Sequence, residues 1–273
     1  MLKIRRTLLA AITSAALLGT AWAQEAATGS YTPEVGQAGK DVVWVPTSQT
    51  LVDAMLDAVS LTEKDYLVDL GSGDGRTVIT AAMRGTKAHG IEYNPEMVAL
   101  SKQAAEVAGV SDKATFEEAD IFESDFSQAT VVSLFLLPNL NIKLRPILLD
   151  MAPGTRVVSN SFDMGEWEPD ERIHVERNGC TGYCNAYKWI VPAKVEGNWK
   201  LENGNVLALT QTFQMLAGSL EQDGKAQELS EAKMNGSSIQ FTAGTEVYTG
   251  SVDGDTMKGK NASGNTWQAK KQP

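Results

Sequence analysis

The stretch Val68-Asp69-Leu70-Gly71-Ser72-Gly73-Asp74-Gly75-Arg76 decides the fold of this chain. An apolar run leads into it from Tyr66, and a helical pattern begins at Arg76. A buried strand that runs into closely spaced glycines and then a helix lets the backbone approach a ligand closely. The amide groups and the dipole of the helix N-terminus attract an anion at that point. We therefore expect a nucleotide-like ligand at this turn.

The glycine spacing and the neighbouring acids argue against a pyrophosphate ligand. The dinucleotide fingerprint is G-x-G-x-x-G, whereas the third glycine here comes one residue early, at Gly75. Two carboxylates, Asp69 and Asp74, would also repel a pyrophosphate. They suit S-adenosylmethionine, because Asp69 can bind its ammonium group while amides of the turn bind its carboxylate. S-adenosylmethionine is therefore the expected cofactor.

Two further acids follow the next two predicted strands. Glu92 ends the second strand about 20 residues after the turn, where a carboxylate can accept both ribose hydroxyls. Each such charge-assisted hydrogen bond contributes about 1.5–3 kcal/mol. Asp120 follows the third strand and can accept a hydrogen bond from the adenine amino group. Ile121 or Phe122 can pack against the adenine ring. The candidate cofactor-binding residues are Asp69, Gly71, Ser72, Gly73, Glu92, Tyr93, Asp120 and Ile121.

Residues 42–191 alternate apolar runs with helical patterns, which is typical of a parallel sheet covered by helices. A capping box at Thr50 predicts the first helix. Asn94 and Pro95 predict the start of a helix that ends near Gly109. The predicted strands are residues 66–70, 88–92, 115–118, 131–136, 156–159, 173–176 and 187–191. We expect an α/β fold with a seven-stranded Rossmann-like sheet and helices on both faces.

The sequence pattern changes after Val195. Glycines such as Gly218, Gly236 and Gly250 separate short apolar runs, which is typical of a small antiparallel barrel or sandwich. We expect a small all-β domain at residues 196–273, after a short junction at residues 192–196. The cofactor-binding domain spans residues 42–195, and residues 24–41 form a flexible arm.

Residues 1–23 have the features of a secretory signal peptide. Lys3, Arg5 and Arg6 precede an uncharged run that ends in Ala21-Trp22-Ala23, an A-x-A cleavage site. A transmembrane anchor is the alternative, but the 17-residue run is shorter than the roughly 20 residues that span a bilayer. We expect cleavage after Ala23 and an exported, periplasmic protein with no stable membrane anchor. The export route stays open.

Composition excludes several other functions. The 273 residues include 24 Lys and Arg against 34 Asp and Glu, so the formal net charge is −10. This charge argues against nucleic acid as a partner, because affinity for phosphate backbones needs clustered basic residues. With two histidines, two cysteines and neither G-x-S-x-G nor H-E-x-x-H, the sequence predicts no metal site and no serine hydrolase.

With these motifs, residues 42–191 resemble class I S-adenosylmethionine-dependent methyltransferases. The runs Val45-Pro46-Thr47, Asp69 to Arg76, Gly90-Ile91-Glu92 and Arg156-Val157-Val158-Ser159 resemble most closely the lysine methyltransferases that modify the ATP synthase c-subunit and the adenine nucleotide translocase, and their bacterial relatives. The resemblance implies a protein-lysine N-methyltransferase acting on a protein substrate. It also implies that the acceptor site is lined by Trp44, Pro46, Thr47, Leu137, Pro138 and Asn139.

The sequence departs from these relatives at two points. After Ser159, where we expect a His-Asp-like pair in the bacterial relatives, stands Asn160-Ser161. The fourth strand lacks the Asp/Asn-Pro-Pro-aromatic motif of enzymes that methylate nucleic-acid nitrogens. Because Asn160-Ser161 replaces that pair, we assign no catalytic base. Desolvation of a lysine acceptor could lower the pKa of its amine and so take the place of a base.

The remaining candidate residues have mostly structural interpretations. Cys180 and Cys184 flank the tip of a predicted hairpin, and in an exported protein we expect them to form a disulfide. His89, His174 and most tryptophans are expected to serve packing. The alternative to an enzyme is an exported, non-catalytic protein that binds a small ligand or a protein partner. That binding would use either the α/β fold or the β domain.

Overall fold

The computed structural model describes residues 31–176, 179–222 and 224–273. The predicted signal peptide and residues 24–30 of the predicted arm lie outside the described residues. Within the described ranges, no helix combines the length and the apolar character that crossing a membrane requires.

The chain forms four α-helices and fifteen β-strands within the described residues. The helices are α1 (Gln49–Ala58), α2 (Arg76–Met83), α3 (Pro95–Val107) and α4 (Pro138–Leu149). The strands of the first domain are β1 (Tyr66–Leu70), β2 (Lys87–Glu92), β3 (Ala114–Glu118), β4 (Val131–Leu134), β5 (Arg156–Asn160), β6 (Glu171–His174) and β7 (Asn185–Ile190). The second domain contains β8 (Gly197–Leu201), β9 (Val206–Thr212), β10 (Met215–Gln222), β11 (Lys225–Asn235), β12 (Ser238–Ala243), β13 (Glu246–Asp253), β14 (Thr256–Asn261) and β15 (Thr266–Lys271).

The first domain contains the seven-stranded sheet that the sequence predicts. Its strand order is β3-β2-β1-β4-β5-β7-β6. Strands β1 to β5 are parallel, and β7 runs antiparallel between β5 and β6. The order reverses between β1 and β4, and ligands of open α/β sheets bind at such a reversal, beyond the carboxyl ends of the strands.

Helices cover both faces of the sheet. Along each strand, neighbouring side chains point to opposite faces, so Leu67 and Val68 belong to different cores. Leu67 packs with α1, α2 and α3, whereas Val68 packs with Leu144 and Leu148 of α4. The sheet is thus buried on both faces, as its continuous apolar strands predict.

The start of α1 differs from the sequence-based expectation. Ser48, not Thr50, is the N-cap: its backbone is extended and its side chain accepts a hydrogen bond from the amide of Leu51. The helix therefore begins at Gln49, before the predicted capping box. The start of α3 agrees with the prediction, because Asn94 caps the amides of Glu96 and Met97 and Pro95 is its first residue.

The second domain is a closed eight-stranded antiparallel barrel rather than a sandwich. Around the barrel the strands follow the order β10-β11-β12-β13-β14-β15-β8-β9, and β10 pairs with β9 to close it. Aromatic side chains fill its interior. The Phe241 and Tyr248 rings stack with centroids 4.9 Å apart, and the Trp267 ring lies edge-on 5.9 Å from Phe241.

The barrel packs directly on the first domain. The Phe213 ring, at the turn between β9 and β10, stacks on Trp167 with a centroid distance of 6.2 Å. The Gln214 side chain donates a 2.8 Å hydrogen bond to the carbonyl of Glu168. In the junction, Ala193 and Val195 are buried in the barrel core. The predicted junction is therefore part of a packed interface.

Candidate active site

A cleft of about 470 Å³ opens beyond the carboxyl ends of the parallel strands, at the reversal of the strand order. All eight candidate cofactor-binding residues line this cleft. Its volume lies in the range of small-molecule sites. The glycine turn, the acids that end β1 and β2 and the acid that follows β3 are thus brought together, as the sequence analysis expects.

The glycine turn needs its glycines for conformation and for space. Gly71 and Gly73 have left-handed backbones, with φ of 78° and 54°. A Cβ on Gly73 would lie 2.7 Å from Nε1 of Trp44, so a side chain there would displace the indole. Gly75 is the N-cap of α2 and has no side chain to cap it, and the Arg76 amide of the first turn donates a 3.3 Å hydrogen bond to Oδ1 of Asp74. Such amides bind a carboxylate well.

Asp69 is a buried carboxyl group at the centre of the site. Its side chain is 6% exposed, and the Ser133 hydroxyl donates a 2.7 Å hydrogen bond to Oδ1. Burial raises the pKa of Asp69 to about 7, the serine hydrogen bond opposes that rise, and the charges of Glu92 and Asp74 add to it. A bound ammonium group would stabilise the ionised carboxylate, so the position suits the cofactor ammonium.

Two backbone amides fix the orientation of the Glu92 carboxylate. The amide of Gly73 donates to Oε2 and the amide of Asn94 donates to Oε1, each at 2.9 Å. Each carboxylate oxygen has a second lone pair available for a hydroxyl group. Glu92 therefore connects the end of β2 to the glycine turn, and each of its carboxylate oxygens can accept a hydrogen bond from a ribose hydroxyl.

Asp120 is paired with a lysine that the sequence analysis did not single out. The Lys40 ammonium forms an ion pair with Asp120 and lies 4.5 Å from the centroid of the Tyr93 ring. The hydrogen bond from Lys40 lowers the pKa of Asp120, and the same hydrogen bond raises the pKa of Lys40. An adenine amino group would therefore share Asp120 with this lysine.

Lys40 belongs to a short hairpin that borders the cleft. Ala38 and Val43 form an antiparallel bridge, and the amide of Gly36 donates to the carbonyl of Trp44 at 2.8 Å. Residues 31–41 of the predicted flexible arm thus include part of a folded turn that supplies cleft residues. The prediction of flexibility rested on small polar residues and did not include this turn or the long-range pair of Lys40 with Asp120.

The predicted acceptor residues divide into two groups. Trp44, Pro46, Thr47 and Leu137 line the cleft. Pro138 and Asn139 are the first two residues of α4, and they are exposed and lie outside the cleft lining. A contact of these two residues with the acceptor stays a prediction. The cleft is also lined by three aromatic residues that sequence reasoning missed as site residues, namely Phe135, Phe162 and Tyr183.

A hydrogen-bond network holds the acceptor segment against the cofactor turn. Arg76 pairs with Asp74 and donates a 2.7 Å hydrogen bond to the carbonyl of Thr47. The buried amide of Asn160 donates to the Thr47 hydroxyl at 3.1 Å, and the Ser161 hydroxyl donates to Asn160. At the Asn160-Ser161 departure the chain thus uses neutral hydrogen bonds, which position Thr47.

The charge of the cleft is negative. Its charged lining residues, among those described, are Asp41, Asp69, Asp74, Glu92, Asp120, Lys40 and Arg76. Both cations are paired with acids of the same cleft. The site therefore favours a cationic ligand over a polyanion.

The two cysteines form a disulfide in the structure. Cys180 and Cys184 are joined with a Cα–Cα distance of 5.8 Å, and Cys180 is buried. The bond closes a five-residue loop just before β7, and this loop includes Tyr183.

Comparisons with known proteins agree with this geometry. A family model described as the ANTKMT methyltransferase domain matches residues 69–171. A protein-lysine N-methyltransferase of Saccharolobus islandicus is 41% identical over 150 residues, which cover 54% of this chain and 89% of that protein. The human lysine N-methyltransferase of the ATP synthase C-subunit is 39% identical over 114 residues, 41% of this chain and 48% of that protein. The chain thus spans about half the length of this human relative.

The chain is also similar to a solved structure of known ligand content. That structure is described as an RNA methyltransferase from Salinibacter ruber in complex with S-adenosyl-L-homocysteine. The match has a TM-score of 0.52 and 46% identity, and it covers 55% of this chain and 96% of that chain. Its ligand is the product that S-adenosylmethionine becomes when it gives up its methyl group.

Proposed function

Since the chain belongs to the protein-lysine N-methyltransferase family, we propose that it transfers methyl groups from S-adenosylmethionine to the side-chain amine of a lysine in a protein. The cofactor and the methyltransferase activity follow from the family. The identity of the acceptor is the proposal, and the observation that carries it is the negative cleft whose two cations are both paired.

The residues of the cleft fit S-adenosylmethionine group by group. Asp69 binds the ammonium, and backbone amides of the glycine turn at the start of α2 bind the carboxylate. Glu92 binds the ribose hydroxyls, while Asp120 receives the adenine amino group. When bound, this cofactor supplies a methyl group on a positively charged sulfur.

The chain accelerates transfer by positioning and by excluding water. Reacting atoms held about 3–3.5 Å apart with aligned orbitals account for a large share of the rate in such reactions. The Arg76 and Asn160 hydrogen bonds to Thr47 hold the acceptor segment in place for this purpose. Apolar lining residues such as Trp44 and Leu137 remove water from the lysine amine, which lowers its pKa toward the neutral, nucleophilic form.

RNA is the rival acceptor, because the similar solved structure is described as an RNA methyltransferase. The charges of this chain favour protein. The formal net charge is −10, and both cleft cations are neutralised by acids. An RNA backbone would be repelled where a lysine would be attracted.

The β-barrel supports the first domain in this proposal. Its interior is filled by buried side chains, and Phe213 packs on Trp167 of the first domain. These contacts favour a structural or docking role over ligand binding inside the barrel.

Export to the periplasm is also part of the proposal. It is supported by the A-x-A site at residues 21–23 and by the disulfide, since such bonds persist in oxidising compartments. A fusion of residues 1–30 to a reporter that is active only outside the cytoplasm tests it. Cytoplasmic retention of the reporter would contradict export.

The function is tested by methyl transfer to proteins of the source cell. Extracts from a strain lacking the enzyme are incubated with S-adenosylmethionine carrying a labelled methyl group and with purified protein. The Glu92→Ala variant is the negative control. Label in mono-, di- or trimethyllysine after acid hydrolysis is the expected result. Label that is confined to RNA, or no label above the variant, would contradict the proposal.

A further inference from the structure

Three aromatic side chains meet at the edge of the sheet next to the cofactor residues. Phe135 directly follows β4, Phe162 follows β5 and Tyr183 precedes β7. Because β7 is antiparallel to β5, its start lies at the same edge as the ends of β4 and β5. Ring centroids are 5.1 Å apart for Phe135 and Tyr183, and 6.2 Å apart for each of the other two pairs.

This aromatic cluster is not part of a hydrophobic core. Tyr183 is 50% exposed, and Phe135 and Phe162 are half-buried. All three line the cleft that also contains Asp69 and Glu92. Strands β1 and β2 carry the cofactor acids, whereas the cluster lies beyond β4, β5 and β7. The cluster therefore occupies the other side of the cleft.

The disulfide loop holds Tyr183 in this cluster. Cys180 is buried, and the Cys184 carbonyl accepts a 3.0 Å hydrogen bond from the amide of Val175. Before the loop, a Cβ on Gly179 would lie 2.6 Å from Oγ1 of Thr50, so the backbone there packs closely against α1. A disulfide removes conformations from a segment that would otherwise sample many.

We propose that Phe135, Phe162 and Tyr183 form the subsite that binds the lysine side chain, and that the Cys180–Cys184 disulfide positions Tyr183 for this task. The inference rests on the proposed function and names its acceptor subsite. Aromatic faces contact the methylenes of lysine and attract its ammonium and methylammonium forms. The subsite cannot be recognised from the sequence alone, because Phe135 and Phe162 are 27 residues apart and Phe162 and Tyr183 are 21 residues apart along the chain.

The test measures binding of a lysine probe rather than turnover. The probe is Nα-acetyl-Nε,Nε-dimethyl-lysine methylamide, titrated by NMR into protein saturated with S-adenosyl-L-homocysteine. We expect Tyr183→Phe to bind the probe as the original protein does. Tyr183→Ala and the double variant Cys180→Ser/Cys184→Ser should bind it at least fivefold more weakly. Met83→Ala, an exposed apolar residue on α2 outside the cleft lining, is the matched control and should bind normally.

Affinity for S-adenosyl-L-homocysteine separates this inference from the proposed function. Each variant should retain that affinity within twofold, which also shows that it is folded. If the folded original protein did not bind S-adenosyl-L-homocysteine, the proposed function itself would be overturned. The aromatic subsite would be overturned if Tyr183→Ala retained product binding and bound the probe with unchanged affinity. It would also be overturned if the original protein bound the product but not the probe. Normal probe binding by the double cysteine variant would overturn the role of the disulfide.

Discussion

The Ser133 hydroxyl donates a 2.7 Å hydrogen bond to the Asp69 carboxylate, and both side chains are buried between β4 and β1. This bond favours the ionised form of Asp69, but burial dominates and raises its pKa to about 7. The carboxylate that the ammonium of the cofactor requires is thus only partly ionised near neutral pH in the ligand-free protein.

Cofactor affinity should therefore depend on pH through Asp69. Only the ionised carboxylate pairs with the ammonium, so the affinity should be constant above about pH 7 and fall as pH drops below it, by up to tenfold per unit. Titration of S-adenosyl-L-homocysteine between pH 5.5 and 8.5 measures this profile. Asp69→Asn should bind weakly, with a flat profile; a flat profile in the original protein would contradict the assignment.

The same carboxyl should lower stability at alkaline pH. A folded-state pKa above the ordinary 3.8 means that the folded form binds more protons between about pH 4 and 7, so stability falls as pH rises through that window. Asp69→Asn keeps the acceptor for Ser133 and removes the buried charge. We expect its Tm to exceed that of the original protein at pH 8 and the difference to shrink at pH 4.5. Equal Tm values at both pH values would contradict this account.

Close packing of Gly73 against Trp44 should couple the glycine turn to the acceptor segment. Gly73→Ala places a methyl group 2.7 Å from the indole nitrogen, so cofactor affinity should fall at least tenfold. Gly109→Ala is the matched control, because Gly109 also has a positive φ but a Cβ there would have no neighbour within 4 Å. Adding Trp44→Ala to Gly73→Ala should restore part of the affinity. No restoration would show that backbone strain alone causes the loss.

Phe213 should stabilise the contact between the barrel and the first domain. Its ring is half-buried on Trp167, so Phe213→Ala should lower the free energy of unfolding by about 1–2 kcal/mol. The exposed Met215, two residues further along, is the control, and Met215→Ala should change stability by less than about 0.5 kcal/mol. Urea unfolding with fluorescence detection measures both variants. Equal stabilities would contradict a structural role for this contact.

Local signals predicted the parts of the fold that local physics determines. The glycine turn, the strand that leads into it and the Asn94-Pro95 start of α3 agree with the structure because each depends on neighbouring residues. The strand-end carboxylates Glu92 and Asp120 were also found, since parallel strands bring their carboxyl ends to one edge.

Several features that the sequence did not reveal depend on contacts between distant residues. Lys40 reaches Asp120 across 80 positions, and no local pattern marks that pair. The acceptor prediction extended to Pro138 and Asn139 because sequence alone did not show that α4 begins at Pro138. Tyr183 was not recognised as a site residue because it lies between the two cysteines. Its position shortly before β7, the strand that pairs with β5, was a signal that could have been used.

The measurement that tests the central claim most directly is calorimetric titration of S-adenosylmethionine into the original protein, Glu92→Ala and Glu118→Ala. Glu118 lies beside Glu92 at the end of β3 but is exposed and does not line the cleft, so it controls for charge. We predict a Kd of about 1 μM, or −8 kcal/mol, for the original protein and for Glu118→Ala. Loss of hydrogen bonds to the ribose should weaken binding by Glu92→Ala at least tenfold. Equal affinity in all three proteins, or no binding by folded original protein, would contradict the cofactor site described here.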